Sequence, residues 1–230
     1  MGEGAGAVLL IDAHDALGQA LGRALAAQGR AVIALVRPGR GAGLPDGVCA
    51  IEQADPVAWL RDPDNGALPL SAVLIGPPDG LADDTAWPDT AHDAILRFLD
   101  VLQAAGRRLA RGDGGQLWVM TREDSLRDSL GLPLAAMESQ ARHAAVKSFA
   151  KEMLRFGVRV NCAQLQACQE DAGEDAWRAA RDGLKAYAMK FRPIRATDAA
   201  QALCGFLAQP ALPLAGMVVP LGIGFIENNL

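Results

Sequence analysis

The chain has 230 residues, half of them hydrophobic and 21% charged, enough for one large domain or two small ones with a sizeable core. Acidic residues outnumber basic ones by 27 to 22, for a formal net charge of −5 with no basic run, which argues against nucleic acid as a partner. No apolar run reaches the length of a membrane span and the N-terminus lacks the pattern of a signal peptide, so a soluble cytoplasmic protein is expected.

The predicted elements alternate. Met1 to Gly6 reads as a flexible lead, and Ala7 to Ile11 as a fully apolar strand. After the turn Asp12-Ala-His-Asp15, residues 16–28 show helical periodicity, with Leu17, Leu21 and Leu25 on one face and Gly29 closing the helix. Strands follow at 31–36, 48–51 and 70–75, with a short helix opened by Asp55-Pro56 between the second and third of these. Residues 89–111 form a long helix striped by Ile95, Leu96, Leu99 and Leu102, and 116–120 a fifth strand. A second long helix, about 134–156, carries a stripe of Ala141, Ala144, Ala145 and Ser148. Such a stripe suits the close approach of another helix or tight packing on a sheet, with Phe149, Met153 and Leu154 on the core side. Phe156-Gly157 ends it, and 158–163 is a sixth strand. Two more helices, 170–190 and 197–207, precede a last strand at 216–220. The strands read as continuous apolar runs, as strands covered on both faces do. The fold class is therefore α/β: a single Rossmann-like domain over 1–230, with a doubly wound parallel sheet of about seven strands and helices on both faces.

Neither a metal site nor a disulfide framework emerges from three histidines and four cysteines, Cys49, Cys162, Cys168 and Cys204. The four cysteines are expected in or near the core.

Order, spacing and length together resemble the short-chain dehydrogenases/reductases (SDRs) over essentially the whole chain. Gly157-Val-Arg-Val-Asn161 resembles that family's G-I-R-V-N strand; Arg192 to Ala208 and Leu214 to Gly222 resemble its C-terminal helix entry and closing strand. The resemblance implies an NAD(P)-dependent oxidoreductase ancestry, with cofactor-binding positions at Asp12, His14, Leu17, Gly18 and Arg37. Arg37 stands where the family often reads the 2′-phosphate of NADP. It also implies a homodimer or homotetramer, or a heteromer with a catalytically intact relative, built on helices 89–111 and 134–156.

The family's functional motifs are altered at every place. The glycine-rich turn T-G-x-x-x-G-[IL]-G is here Ile11-Asp-Ala-His-Asp-Ala-Leu-Gly18, where only Leu17-Gly18 persists. Two carboxylates beside a pyrophosphate cost on the order of 1 kcal/mol each even at water-like screening. Asp12 or Asp15 is therefore expected to cap the first helix and occupy the anion site itself. The N-N-A-G after strand four is Gly76-Pro-Pro-Asp-Gly80, and the strand-five serine position falls on Arg122, with Thr121 before it. In place of the Y-x-x-x-K pair, the alignment sets Ser139 and His143. The one tyrosine, Tyr187, is followed four residues later by Phe191. Serine is a very poor general acid, whereas histidine titrates near neutrality. Two readings follow. One is a non-catalytic structural or regulatory subunit or binding module, without cofactor. The other is an atypical NAD(P)H-dependent carbonyl or β-ketoacyl reductase using His143, Thr121 or Arg122. A third possibility is that Arg122, Arg142 and His143 attract an acidic small molecule or acyl carrier.

Overall fold

A computed structural model describes residues 6–41, 43–79, 87–184, 192–209 and 212–222. Seven parallel strands form one sheet in the order β3-β2-β1-β4-β5-β6-β7. They are β1 Ala7–Ile11, β2 Val32–Val36, β3 Val48–Glu52, β4 Leu70–Ile75, β5 Gly115–Arg122, β6 Val158–Leu165 and β7 Val218–Leu221. The helices are α1 Ala16–Ala27, α2 Pro56–Arg61, α3 Pro63–Gly66, α4 Trp87–Ala110, α5 Asp124–Ser129, α6 Ala136–Met153, α7 Glu174–Leu184 and α8 Ala196–Leu207. Among the described residues no helix is long and apolar enough to cross a membrane.

Successive side chains of each central strand feed two cores. Val8, Leu10, Trp118 and Met120 meet α1 and α8 through Leu17, Leu21, Leu25 and Leu203. Leu9, Ile11, Leu117 and Val119 meet α4 and α6 through Phe98, Leu102, Val146 and Ala150. Both faces being covered, β1 is buried at all five positions, which is why it reads as an uninterrupted apolar run. The edge strands β3 and β7 are only partly buried. On β6, Asn161 is spent on structure: its Nδ2 donates to the Leu214 carbonyl at 3.0 Å, and its Oδ1 accepts from Met217 N at 3.2 Å. Gly157 takes the left-handed conformation, φ 72°, as the stop after α6 requires.

Four expectations need correction. Cys49, expected in or near the core, is exposed on β3, while the other three cysteines are buried. The helix expected over 170–190 is a 3₁₀ turn at Gln169–Asp171 followed by α7, because Gly173 separates them; residues 185–191, Tyr187 included, lie outside the described residues. Residues 154–156 form a 3₁₀ turn rather than the end of α6, so the helical period breaks and Leu154 turns outward, 54% exposed. The small-residue stripe is not the sheet face of α6. That face is Ser139, Arg142, His143, Val146, Ala150 and Met153, while Ala145 and Ser148 border a groove beside α4. There Gly106 of α4 admits Phe149: a Cβ on that glycine would stand 2.6 Å from the Phe149 ring.

Candidate functional site

The carboxyl ends of β1, β4 and β5 meet the start of α1, the usual place for a ligand in an open α/β sheet. The β1 exit turns on Asp12, which has φ 53°, the one non-glycine residue with positive φ among the described residues. A short polar side chain tolerates that conformation better than most. The Asp12 carboxylate is gripped by Arg37, with Nε–Oδ1 and Nη2–Oδ2 both 3.3 Å, and by Nη2 of Arg97 from α4 at 3.3 Å. Arg37 reaches on to Asp79 at 2.7 Å, and His14 Nε2 lies 3.7 Å from the same carboxylate. Burial pulls the Arg37 pKa down, but Asp12 and Asp79 outweigh it and the net shift is upward. Gly76 passes directly over Asp12: a Cβ there would stand 2.4 Å from the Asp12 carbonyl oxygen.

Three residues further, Asp15 caps α1. Its Oδ1 accepts from Gly18 N at 2.9 Å, which satisfies a helix-end donor and places negative charge at the positive end of the helix. Its Oδ2 accepts from Arg122 Nη2 at 3.1 Å, and Arg122 Nε donates to the Pro78 carbonyl at 3.0 Å. Arg122 thus ties the exits of β1, β4 and β5 together. Of the two aspartates weighed from sequence, Asp15 is the cap and Asp12 the hub of an ion-pair network.

A pyrophosphate at this turn would need free N–H donors, with carboxylates kept away. Here Gly18 N is engaged by Asp15, and Asp12 projects a second carboxylate into the exit. The residues present do not fit a pyrophosphate. Leu17 lies in the α1 core. Gly18 is required by packing, since a Cβ there would lie 1.8 Å from the Ala13 carbonyl oxygen.

No family model and no curated protein sequence matches the chain. Solved structures do. The TT0495 protein from Thermus thermophilus aligns with a TM-score of 0.74 at 18% identity, covering 94% of this chain and 96% of that one. A short-chain type dehydrogenase/reductase from Mycobacterium ulcerans aligns at 0.72 and 19%, covering 94% and 87%. A structure described as a dehalogenation enzyme aligns at 0.68 and 19%, covering 96% and 98%. The chain has the Rossmann-like, doubly wound α/β fold of these structures.

Within that fold, the four positions singled out for chemistry separate into a buried group and a paired one. Thr121 and His143 meet, Oγ1 to Nε2 at 2.9 Å, and Thr121 also lies 3.4 Å from the Cys162 sulfur. This chain is sealed between β5, β6 and α6. Burial, and then Lys147, lower the His143 pKa, which favours the neutral ring. Burial pushes the Cys162 thiol up to about 11, which removes it as a nucleophile. Ser139, one turn from His143, is buried, and its Oγ has no partner among the described residues. Arg122 stands apart from all three, paired with Asp15.

A cavity of about 1050 Å³ opens between β1, β4 and the N-terminal halves of α4 and α6. Thr121, Arg122, Ser139 and His143 are absent from its lining. Behind it, Arg142 crosses from α6 to the strand ends, donating to the carbonyls of Gly76 at 2.6 Å and Met120 at 3.1 Å. Glu138 accepts from the same guanidinium at 2.6 Å, and the Phe98 ring lies beneath it with its centroid 4.6 Å away. Arg97, Asp79 and Glu138 were not singled out from sequence. On an amphipathic helix, Arg97 and Glu138 look like any solvated charge, and only the i, i+4 spacing of Glu138 and Arg142 hinted at a pair.

Proposed function

We propose that this protein is an SDR-fold subunit or binding module that has given up tight dinucleotide binding and the family's chemistry. The observation that carries this reading is the Asp15 carboxylate on Gly18 N, held there by Arg122. It puts the chain's own anion where a cofactor phosphate would need one of the few available donors. Three further features support it: Asp12 in the same turn, Arg37 committed to Asp12 and Asp79, and the absence of any Tyr-x-x-x-Lys sequence. Calorimetric titration with NADPH tests the reading. No binding in the micromolar range is expected, and a micromolar Kd would overturn it.

The alternative, an atypical NAD(P)H-dependent carbonyl or β-ketoacyl reductase, draws on the Thr121–His143 hydrogen bond. It requires NADPH oxidation with some carbonyl substrate that is lost in His143→Ala. Against it stand the burial of both groups and the downward shift that burial gives the His143 pKa.

As partner we propose a second copy of the chain or an SDR-fold relative, docked along α4 and α6. The groove between them holds Leu99 and Phe149, and Phe156 at its end is 47% exposed. Apolar surface of this kind gains from being covered.

A further inference from the structure

The cavity beside α4 and α6 carries a charge pattern opposite to that of a phosphate or carboxylate site. We propose that it binds an amphipathic amine: a protonated nitrogen carried on an apolar body. This rests on the reading that the chain is a binding module without a dinucleotide. Three guanidiniums border the cavity, and each is already answered. Arg37 and Arg97 face Asp12, Arg37 also faces Asp79, and Arg142 faces Glu138 and two backbone carbonyls. Two further carboxylates border the cavity, Asp93 on α4 and Asp128 on α5, and neither has an ion-pair partner among the described residues. Five carboxylates against three guanidiniums leave a formal charge of −2 on the described lining.

The rest of the wall is apolar. Phe98 and Leu132 lie within it, and Leu134 and Met137 are 36% and 50% exposed. This wall is held in place: Arg127 Nε donates to the Pro133 carbonyl at 3.0 Å, and Asp124 accepts from Ala135 N at 3.1 Å. A preformed cavity with an apolar wall and a few polar groups is the ordinary form of a small-molecule site. The polar groups set the sign of the ligand. A carboxylate or phosphate would meet two uncompensated negative charges and find no free guanidinium. An ammonium would find either aspartate available and could lay its hydrocarbon on Leu132, Leu134 and Met137.

The test uses two probes of equal length and opposite charge, n-hexylamine and hexanoate, titrated into the full chain at pH 7 and followed by saturation-transfer NMR and calorimetry. Hexylamine is expected to bind at least about tenfold more tightly than hexanoate. The combined Asp93→Asn, Asp128→Asn variant changes two exposed side chains outside the core. It should retain the circular dichroism and melting temperature of the parent while losing about tenfold in amine affinity. Equal or tighter binding of hexanoate overturns the proposal. So does an amine affinity unchanged in the double variant, or the absence of binding by either probe at millimolar concentration. NADPH titrated in parallel separates the two readings. If NADPH binds while the amine preference persists, the loss-of-cofactor reading alone fails. If NADPH stays silent while the amine preference is absent, this proposal alone fails.

Discussion

Replacing Asp15 separates its two jobs, capping α1 and neutralising Arg122. Asparagine caps as well as aspartate, so Asp15→Asn keeps the Gly18 N hydrogen bond and removes the charge and the Oδ2 acceptor facing Arg122, leaving Asp171 at 3.8 Å as the other carboxylate beside that guanidinium. Arg122 is 13% exposed on its side chain and Asp15 25%, so the pair is only partly screened. A hydrogen bond to a charged group in such a setting contributes about 1–2 kcal/mol. Asp15→Ala loses the cap as well, about 1 kcal/mol more. Over 230 residues, an unfolding entropy of roughly 2.1 cal/mol/K per residue converts 1 kcal/mol into about 2 °C. Thermal melts should therefore fall by about 2–4 °C in Asp15→Asn and about 4–6 °C in Asp15→Ala. A double-mutant cycle of Asp15→Asn with Arg122→Ala should return a coupling of about 1 kcal/mol or more. Equal melting temperatures for the two Asp15 variants would refute the cap, and zero coupling would refute the ion pair. Either result would remove the physical basis for placing the chain's own anion at the start of α1.

Two further outcomes are expected. The folded-state pKa of His143 lies below its unfolded value, through burial and then Lys147, so the unfolded chain binds the extra proton. The stability tied to the neutral ring is complete above about pH 6.5 and is lost as the pH falls below it. Urea unfolding between pH 7.5 and 5 should show a shallower loss for His143→Gln than for the parent, and identical slopes would count against it. On light scattering the chain should run as a dimer or larger, and Leu154→Arg with Phe156→Arg should shift it to monomer with its melting temperature kept, because both side chains point outward. A monomeric parent would exclude α4 and α6 as a self-docking surface.

Much of the fold is legible in the sequence because burial on both faces writes itself as uninterrupted apolar strands, Ala7–Ile11 and Leu70–Ile75 among them. Gly157 after a helical repeat gives a stop that the structure bears out. The sheet face of α6 was harder to read, since its first turns bury Ser139, Arg142 and His143 rather than hydrocarbon. A hydrophobic period cannot register Arg142 and His143, which are buried against strand-end carbonyls and a threonine, nor Ser139, which is buried beside them. The candidate site was legible as a departure from the motifs of the family the chain resembles, but not as an ion-pair network. Arg97 meets Asp12 across 85 positions and Arg122 meets Asp15 across 107, separations that leave no local pattern. For Asp12, the one hint of its left-handed backbone was its place opposite a glycine of the turn that the chain resembles.

Gly18 and Gly76 have a bearing on how glycines at strand-to-helix turns are read. Each sits where any larger residue would collide with the carbonyl of a neighbouring turn, Ala13 in one case and Asp12 in the other. Their smallness is demanded by the crossing of two backbone segments, whether or not a phosphate ever visits. A surviving glycine in such a turn therefore records the geometry of the crossover and not a residual affinity. In this chain the informative residues of the turn are Asp12 and Asp15, whose carboxylates meet Arg37, Arg97 and Arg122.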